Sequence, residues 1–131
     1  MSHRPVILLV DDDVTLLQAI AQILGAESFE VVLADQPNLA TQFLNNLNVD
    51  LAIVDIFMPE RDGVELIRDI KARRPDLPII AMSGGWRSIN PDTVLEMARA
   101  LGAEAGLIKP FDRAALLATV HKALRDRTSS G

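Results

Sequence analysis

Five short apolar runs punctuate the chain, and after each one the apolar residues recur every three or four positions. The first run, Val6-Ile-Leu-Leu-Val10, opens into Asp11-Asp12-Asp13, and Leu16, Leu17, Ile20, Ile23 and Leu24 then mark one face of a helix. Val31-Val32-Leu33 precedes a second helical face at Leu39, Ala40, Phe43, Leu44 and Leu47. The third run, Leu51 to Val54, is apolar at every position. Both of its faces must therefore be covered, which is the pattern of a central strand in a parallel sheet. It ends on Asp55, and a turn through Pro59 and Gly63 leads to Val64, Ile67 and Ile70 on a third helix. Ile79 to Met82 leads to Ser83, a loop containing Trp86, and a fourth helix marked by Val94, Leu95, Ala98 and Leu101. Ala105 to Ile108 leads to Lys109-Pro110 and a last helix with Leu116, Leu117, Val120 and Leu124 on its inner face. Asp13 and Asp62 are placed to cap the first and third helices, Pro91 to start the fourth and Gly102 to end it.

Alternation of this kind predicts an α/β fold, because right-handed crossovers and doubly buried strands leave few other arrangements. Five units are too few for an eight-stranded barrel. The expectation is an open five-stranded parallel sheet of order 2-1-3-4-5 with five helices in a (βα)5 arrangement. In that order the ends of the first and third strands lie side by side at the switch point, where open sheets bind ligands.

Composition narrows the function classes. A chain of 131 residues fits one domain, with its core at about residues 5–125 and a polar tail, 126–131, that need not be ordered. Its longest apolar stretches fall well short of the ~18 residues of a membrane span, and the five apolar residues after the opening Met-Ser-His-Arg-Pro are too few for a secretory signal. Cysteine is absent, which removes disulfides and thiolate metal sites and makes the cytoplasm the default location. A net charge of −5 argues against nucleic acid as a partner.

Four of the five strands end in groups that belong to one kind of chemistry: Asp11 and Asp12, then Asp55, Ser83 and Lys109. Asp55 taken alone equally suits a turn or a cap. Taken together, the three carboxylates would repel one another unless a cation joined them, and oxygen donors suit magnesium. Opposite the cation, a lysine ammonium and a serine hydroxyl would hold phosphoryl oxygens. Asp55 is then the natural nucleophile, accepting a phosphoryl group as an acyl phosphate.

In the segments Val10-Asp-Asp12, Val54-Asp55 with Met58-Pro59, Ser83-Gly84 and Lys109-Pro-Phe111, the chain resembles the receiver domain of bacterial two-component response regulators. The resemblance covers about residues 5 to 125 and implies a flavodoxin-like fold. It also implies that Asp55 takes phosphate from the phosphohistidine of a sensor histidine kinase or a histidine phosphotransfer protein. Asp12 and Asp55 would bind magnesium directly, Asp11 through water, and Phe57 through its backbone carbonyl, with manganese able to substitute. Ser83 and Lys109 would contact the phosphoryl oxygens, and the bond between Lys109 and Pro110 would be cis. Such a domain catalyses its own phosphorylation and dephosphorylation without turning over an outside metabolite. It signals to a downstream protein through the fourth helix, fifth strand and fifth helix.

The likeness has gaps. Receivers usually carry an aromatic residue three positions before the lysine, where this chain has Gly106. The expectation is that Trp86, or movement about Gly84-Gly85, replaces the missing ring. The bulk of Phe57 is expected to slow loss of phosphate. His3 and His121 have surface or boundary roles in this reading. Among the alternatives, a dehalogenase-type phosphohydrolase needs a second acid where Phe57 stands, and a flavin module would find Asp11 to Asp13 repelling its phosphate. A docking module that works without phosphate remains as the alternative.

Overall fold

The computed structural model describes residues 4–56, 63–84 and 90–129. Five strands, β1 (Val6–Val10), β2 (Glu30–Ala34), β3 (Leu51–Asp55), β4 (Ile79–Ser83) and β5 (Ala105–Ile108), alternate with five helices. These are α1 (Val14–Ala26), α2 (Pro37–Asn46), α3 (Gly63–Arg73), α4 (Pro91–Ala100) and α5 (Arg113–Ser129). All strand pairs are parallel and the order is β2-β1-β3-β4-β5, the flavodoxin-like arrangement expected from the alternation.

Because successive strand residues point to opposite faces, the continuous apolar runs feed two cores at once. Leu8, Val10, Ala52, Val54, Ile79 and Ala81 face α2, α3 and α4, whose Leu44, Ile67, Ile70 and Ala98 complete one core. Ile7, Leu9, Leu51, Ile53, Ile80 and Met82 face α1 and α5, where Leu17, Ile20, Leu116 and Val120 complete the other. The edge strand β2 extends one residue beyond the predicted run at each end, to exposed Glu30 and to Ala34, which is fully buried although its small side chain adds little to the apolar pattern.

Local signals fix the helix ends. The Asp13 side chain accepts from the Leu16 N–H at 3.1 Å, and Asn90 accepts from Asp92 N–H at 2.9 Å ahead of Pro91. α4 closes with Gly102 at a φ of +117°, while the N–H groups of Gly102 and Ala103 return to the carbonyls of Arg99 and Ala98. That left-handed residue with two reversed hydrogen bonds is a Schellman close. Asp112 caps α5 by accepting from the Ala115 N–H at 2.8 Å. α5 continues to Ser129, so most of the segment expected as a loose tail is helical. Asp62, the predicted cap of α3, lies outside the described residues.

On the sheet edge away from the strand carboxyl ends, side chains tie the crossovers together. Asp50 accepts from the Val6 N–H at 2.8 Å, and Glu104 accepts from the Ile79 N–H at 2.6 Å while pairing with Lys71 at 2.8 Å.

Candidate functional site

The carboxyl ends of β1, β3, β4 and β5 place four chemical groups on one rim. Asp11 follows β1, held by its N–H bond to the Ala34 carbonyl at 3.2 Å, and its carboxylate accepts from the Asp13 N–H at 3.0 Å. Asp55 is the last residue of β3, paired in register with Met82 of β4. Ser83 ends β4 and Lys109 follows β5; the Lys109 N–H donates to the Ser83 carbonyl at 2.8 Å. Asp11, Asp55 and Ser83 are buried, and Asp12 is exposed.

Asp11, Asp12 and Asp55 each present a carboxylate oxygen within 4.8 Å of the other two. The Lys109 ammonium lies 2.7 Å from Asp11 and 3.6 Å from Asp55. One ammonium faces three carboxylates. Although Asp12 is exposed as a residue, partial desolvation of its carboxyl at the crowded rim, and then the hydrogen bond and charge of Asp11, hold it above the usual range, against the lowering effect of its own backbone bond and of Lys109. Burial works against the charge on Lys109, yet its bond to Asp11 and the charges of Asp55 and Asp11 together keep it above the ordinary lysine value. Surplus negative charge on an all-oxygen donor set fits a hard divalent cation, so the cluster could hold magnesium.

The structure thus gathers the three acids and Lys109 as the strand ends predict and puts Ser83 at the end of the neighbouring strand. The Lys109–Pro110 bond is cis. Phe57, Trp86 and the glycine at 85 lie outside the described residues. His121 is exposed, with its ring 5.6 Å from that of Phe29, a boundary position as expected. An open cleft of about 400 Å³ beside Lys109 is lined by Leu16, Gly84, Pro110 and Phe111.

Spacing in the sequence did not reveal what fills the space above Gly106. Leu95 of α4 does: a β-carbon on Gly106 would lie 2.9 Å from its Cδ1 and 3.0 Å from its Cγ. A second open groove of about 410 Å³ runs beside it between α4, β5 and α5, lined by Ile108, Phe111, Ala115 and Thr119 among others.

Comparison with known proteins agrees with this geometry. The model of the response regulator receiver domain matches residues 7–121. The chain is 37% identical over 125 residues to the transcriptional regulatory protein GlrR of Escherichia coli, covering 95% of this chain and 27% of that one. It is 36% identical over 121 residues to the regulatory protein VirG of Agrobacterium tumefaciens, covering 92% of this chain and 44% of the relative. The chain thus spans between about a quarter and a half of these curated relatives. A CheY-like receiver domain from Methanospirillum hungatei superposes with a TM-score of 0.89 at 28% identity, covering 98% of this chain and 100% of that one. On this agreement of fold, rim chemistry and sequence, the chain belongs to the response regulator receiver domains of two-component systems.

Proposed function

We propose that Asp55 is a phosphoacceptor that takes a phosphoryl group from the phosphohistidine of a sensor histidine kinase or histidine phosphotransfer protein. The observation that carries this reading is the convergence of Asp11, Asp12 and Asp55 within 4.8 Å with the Lys109 ammonium against two of them. A carboxylate oxygen of Asp55 attacks phosphorus as the P–N bond breaks, and the bond's electron pair returns to the imidazole, which is neutral once protonated. Lys109 draws toward the transferred oxygens and Ser83 donates its hydroxyl to one of them. Asp12 and Asp55, Asp11 through water, and the backbone carbonyl of Phe57 would hold magnesium, or manganese in its place. Bound there, the ion would neutralise charge between the acceptor carboxylate and the incoming phosphoryl group. Water later attacks phosphorus, the Asp55 carboxylate leaves, and the site is restored.

On this reading the whole chain, 1–131, acts as one receiver in the cytoplasm. It turns over no outside metabolite and reports its state to a downstream protein through α4, β5 and α5. Two features support a non-membrane, non-nucleic-acid role. No helix among the described residues is long and apolar enough to cross a membrane, and the net charge is −5. Incubation with acetyl phosphate and magnesium should add one phosphoryl mass to the wild type and none to Asp55→Asn. Equal labelling of both, or of neither, would sink the reading; the second result would favour a docking module that works without phosphate.

A further inference from the structure

The neck of the segment that follows β3 is closed by a contact that leaves no room for a side chain. The Gly63 N–H donates to the Ile56 carbonyl at 2.9 Å, so the chain leaves β3 at Ile56 and returns to it at the first residue of α3. Gly63 is buried. A β-carbon there would collide with the Asp55 carbonyl oxygen and would lie 2.6 Å from Ile56 Cα and 2.7 Å from Ile56 O. All three neighbours are backbone atoms, so no rotamer change relieves the contact. By comparison, a β-carbon on Gly25 would meet nothing within 4 Å.

Resting on the reading of Asp55 as acceptor, we infer that Gly63 is a positioning residue for the reaction. By letting α3 sit directly on the Asp55–Ile56 backbone, it sets where the Asp55 carboxylate stands relative to Asp11, Asp12 and Lys109. Both sides of the contact are anchored. α3 is fixed by Leu66, Ile67 and Ile70, each at most 1% exposed. Asp55 lies past the last register pair of β3 with β1, Val10 with Val54, and its register partner on the other side is Met82, whose carbonyl accepts from the Ile56 N–H at 2.9 Å. An added methyl group presses on the Asp55–Ile56 backbone directly, and whatever part of the strain the strand end takes up moves the Asp55 carboxylate. Relief to ordinary van der Waals distance takes roughly 1 Å of movement. A misplacement of that size costs on the order of 100-fold in rate when it falls on reacting groups.

The test compares Gly63→Ala with Ile70→Val, which loosens the same helix without touching the neck. Three quantities are read: the urea midpoint, magnesium affinity by calorimetry, and the rate of phosphoryl incorporation from acetyl phosphate at saturating magnesium. Gly63→Ala should slow incorporation roughly 100-fold and weaken magnesium binding at least tenfold. Ile70→Val, although less stable, should stay within about twofold of wild type in both, since it lies away from the neck. If Gly63→Ala keeps wild-type rate and magnesium affinity, or Ile70→Val matches its losses, the inference is overturned. If Gly63→Ala does not fold, amide exchange in the wild type decides: magnesium should slow exchange of the Gly63 N–H, and no change would overturn the inference. Wild type that takes no phosphoryl group would refute the acceptor reading instead, and the magnesium and exchange measurements would still test Gly63.

Discussion

Asp12 and Lys109 carry opposite strains in the absence of a cation, and each has a measurable signature. The Asp12 carboxyl lies above the usual carboxylate range because partial desolvation at the rim and then Asp11 disfavour its charge. A carboxylate whose folded pKa is raised costs stability when ionised, and the cost is relieved as pH falls through the folded value. Asp12→Asn should therefore raise the melting temperature of the metal-free protein at neutral pH, by roughly 1–4 °C after allowance for solvent screening, and the gain should shrink in acid. The same variant should lose most of its magnesium affinity. Lys109 has the reverse sign. Its pKa is raised, so its ion pairs stabilise fully below the ordinary lysine value and are lost as pH climbs through the higher folded one. Lys109→Met leaves buried Asp11 without its 2.7 Å partner and should cost about 1–3 kcal/mol in urea unfolding at pH 8, with the difference from wild type closing at strongly alkaline pH. An unchanged urea midpoint in Lys109→Met would show that the ammonium does not stabilise the acids.

The elements were legible to the extent that burial wrote them into the chain. β1 falls on the apolar run Val6 to Val10, and β3 on Leu51 to Val54 with Asp55 at its end, since core-facing strand residues must be apolar. α5 runs past Leu124 into polar residues because helix propagation depends on backbone propensity as well as on a buried face. The chemical rim was readable for a related reason: a parallel sheet places every strand end on one edge, so Asp11, Asp55, Ser83 and Lys109 could be assembled from order alone. Contacts between elements were not readable. That Leu95 fills the hollow over Gly106, or that Gly63 touches Asp55, depends on a crossing distance that no spacing encodes. Two substitutions probe such packing. Gly106→Ala crowds Leu95 and should cost about 1–3 kcal/mol, while Gly102→Ala must hold a side chain at a φ of +117° and should cost about 1–2 kcal/mol. Both are read from urea midpoints, and a Gly106→Ala variant as stable as wild type would mean that α4 gives way freely at Leu95.

For the molecule as a whole, the sheet divides labour between its two edges. One edge is stapled by Asp50, Glu104 and Lys71; the other holds acids whose repulsion a cation would relieve. Magnesium should consequently stabilise the folded state by mass action, by about 2.7 kcal/mol at a hundred times its dissociation constant, and the rise in melting temperature should vanish in Asp12→Asn. A wild type whose melting temperature ignores magnesium would separate the acidic cluster from any metal role. The family supplies the frame, and the proposed chemistry turns on a single carboxylate. The most direct measurement is to treat the protein with acetyl phosphate and magnesium, reduce the product with borohydride, and sequence the peptides. An acyl phosphate is reduced to an alcohol, so the account predicts homoserine at position 55 and aspartate at positions 11, 12 and 13. Homoserine at any other position, or none after phosphoryl incorporation has been confirmed by mass, would contradict it.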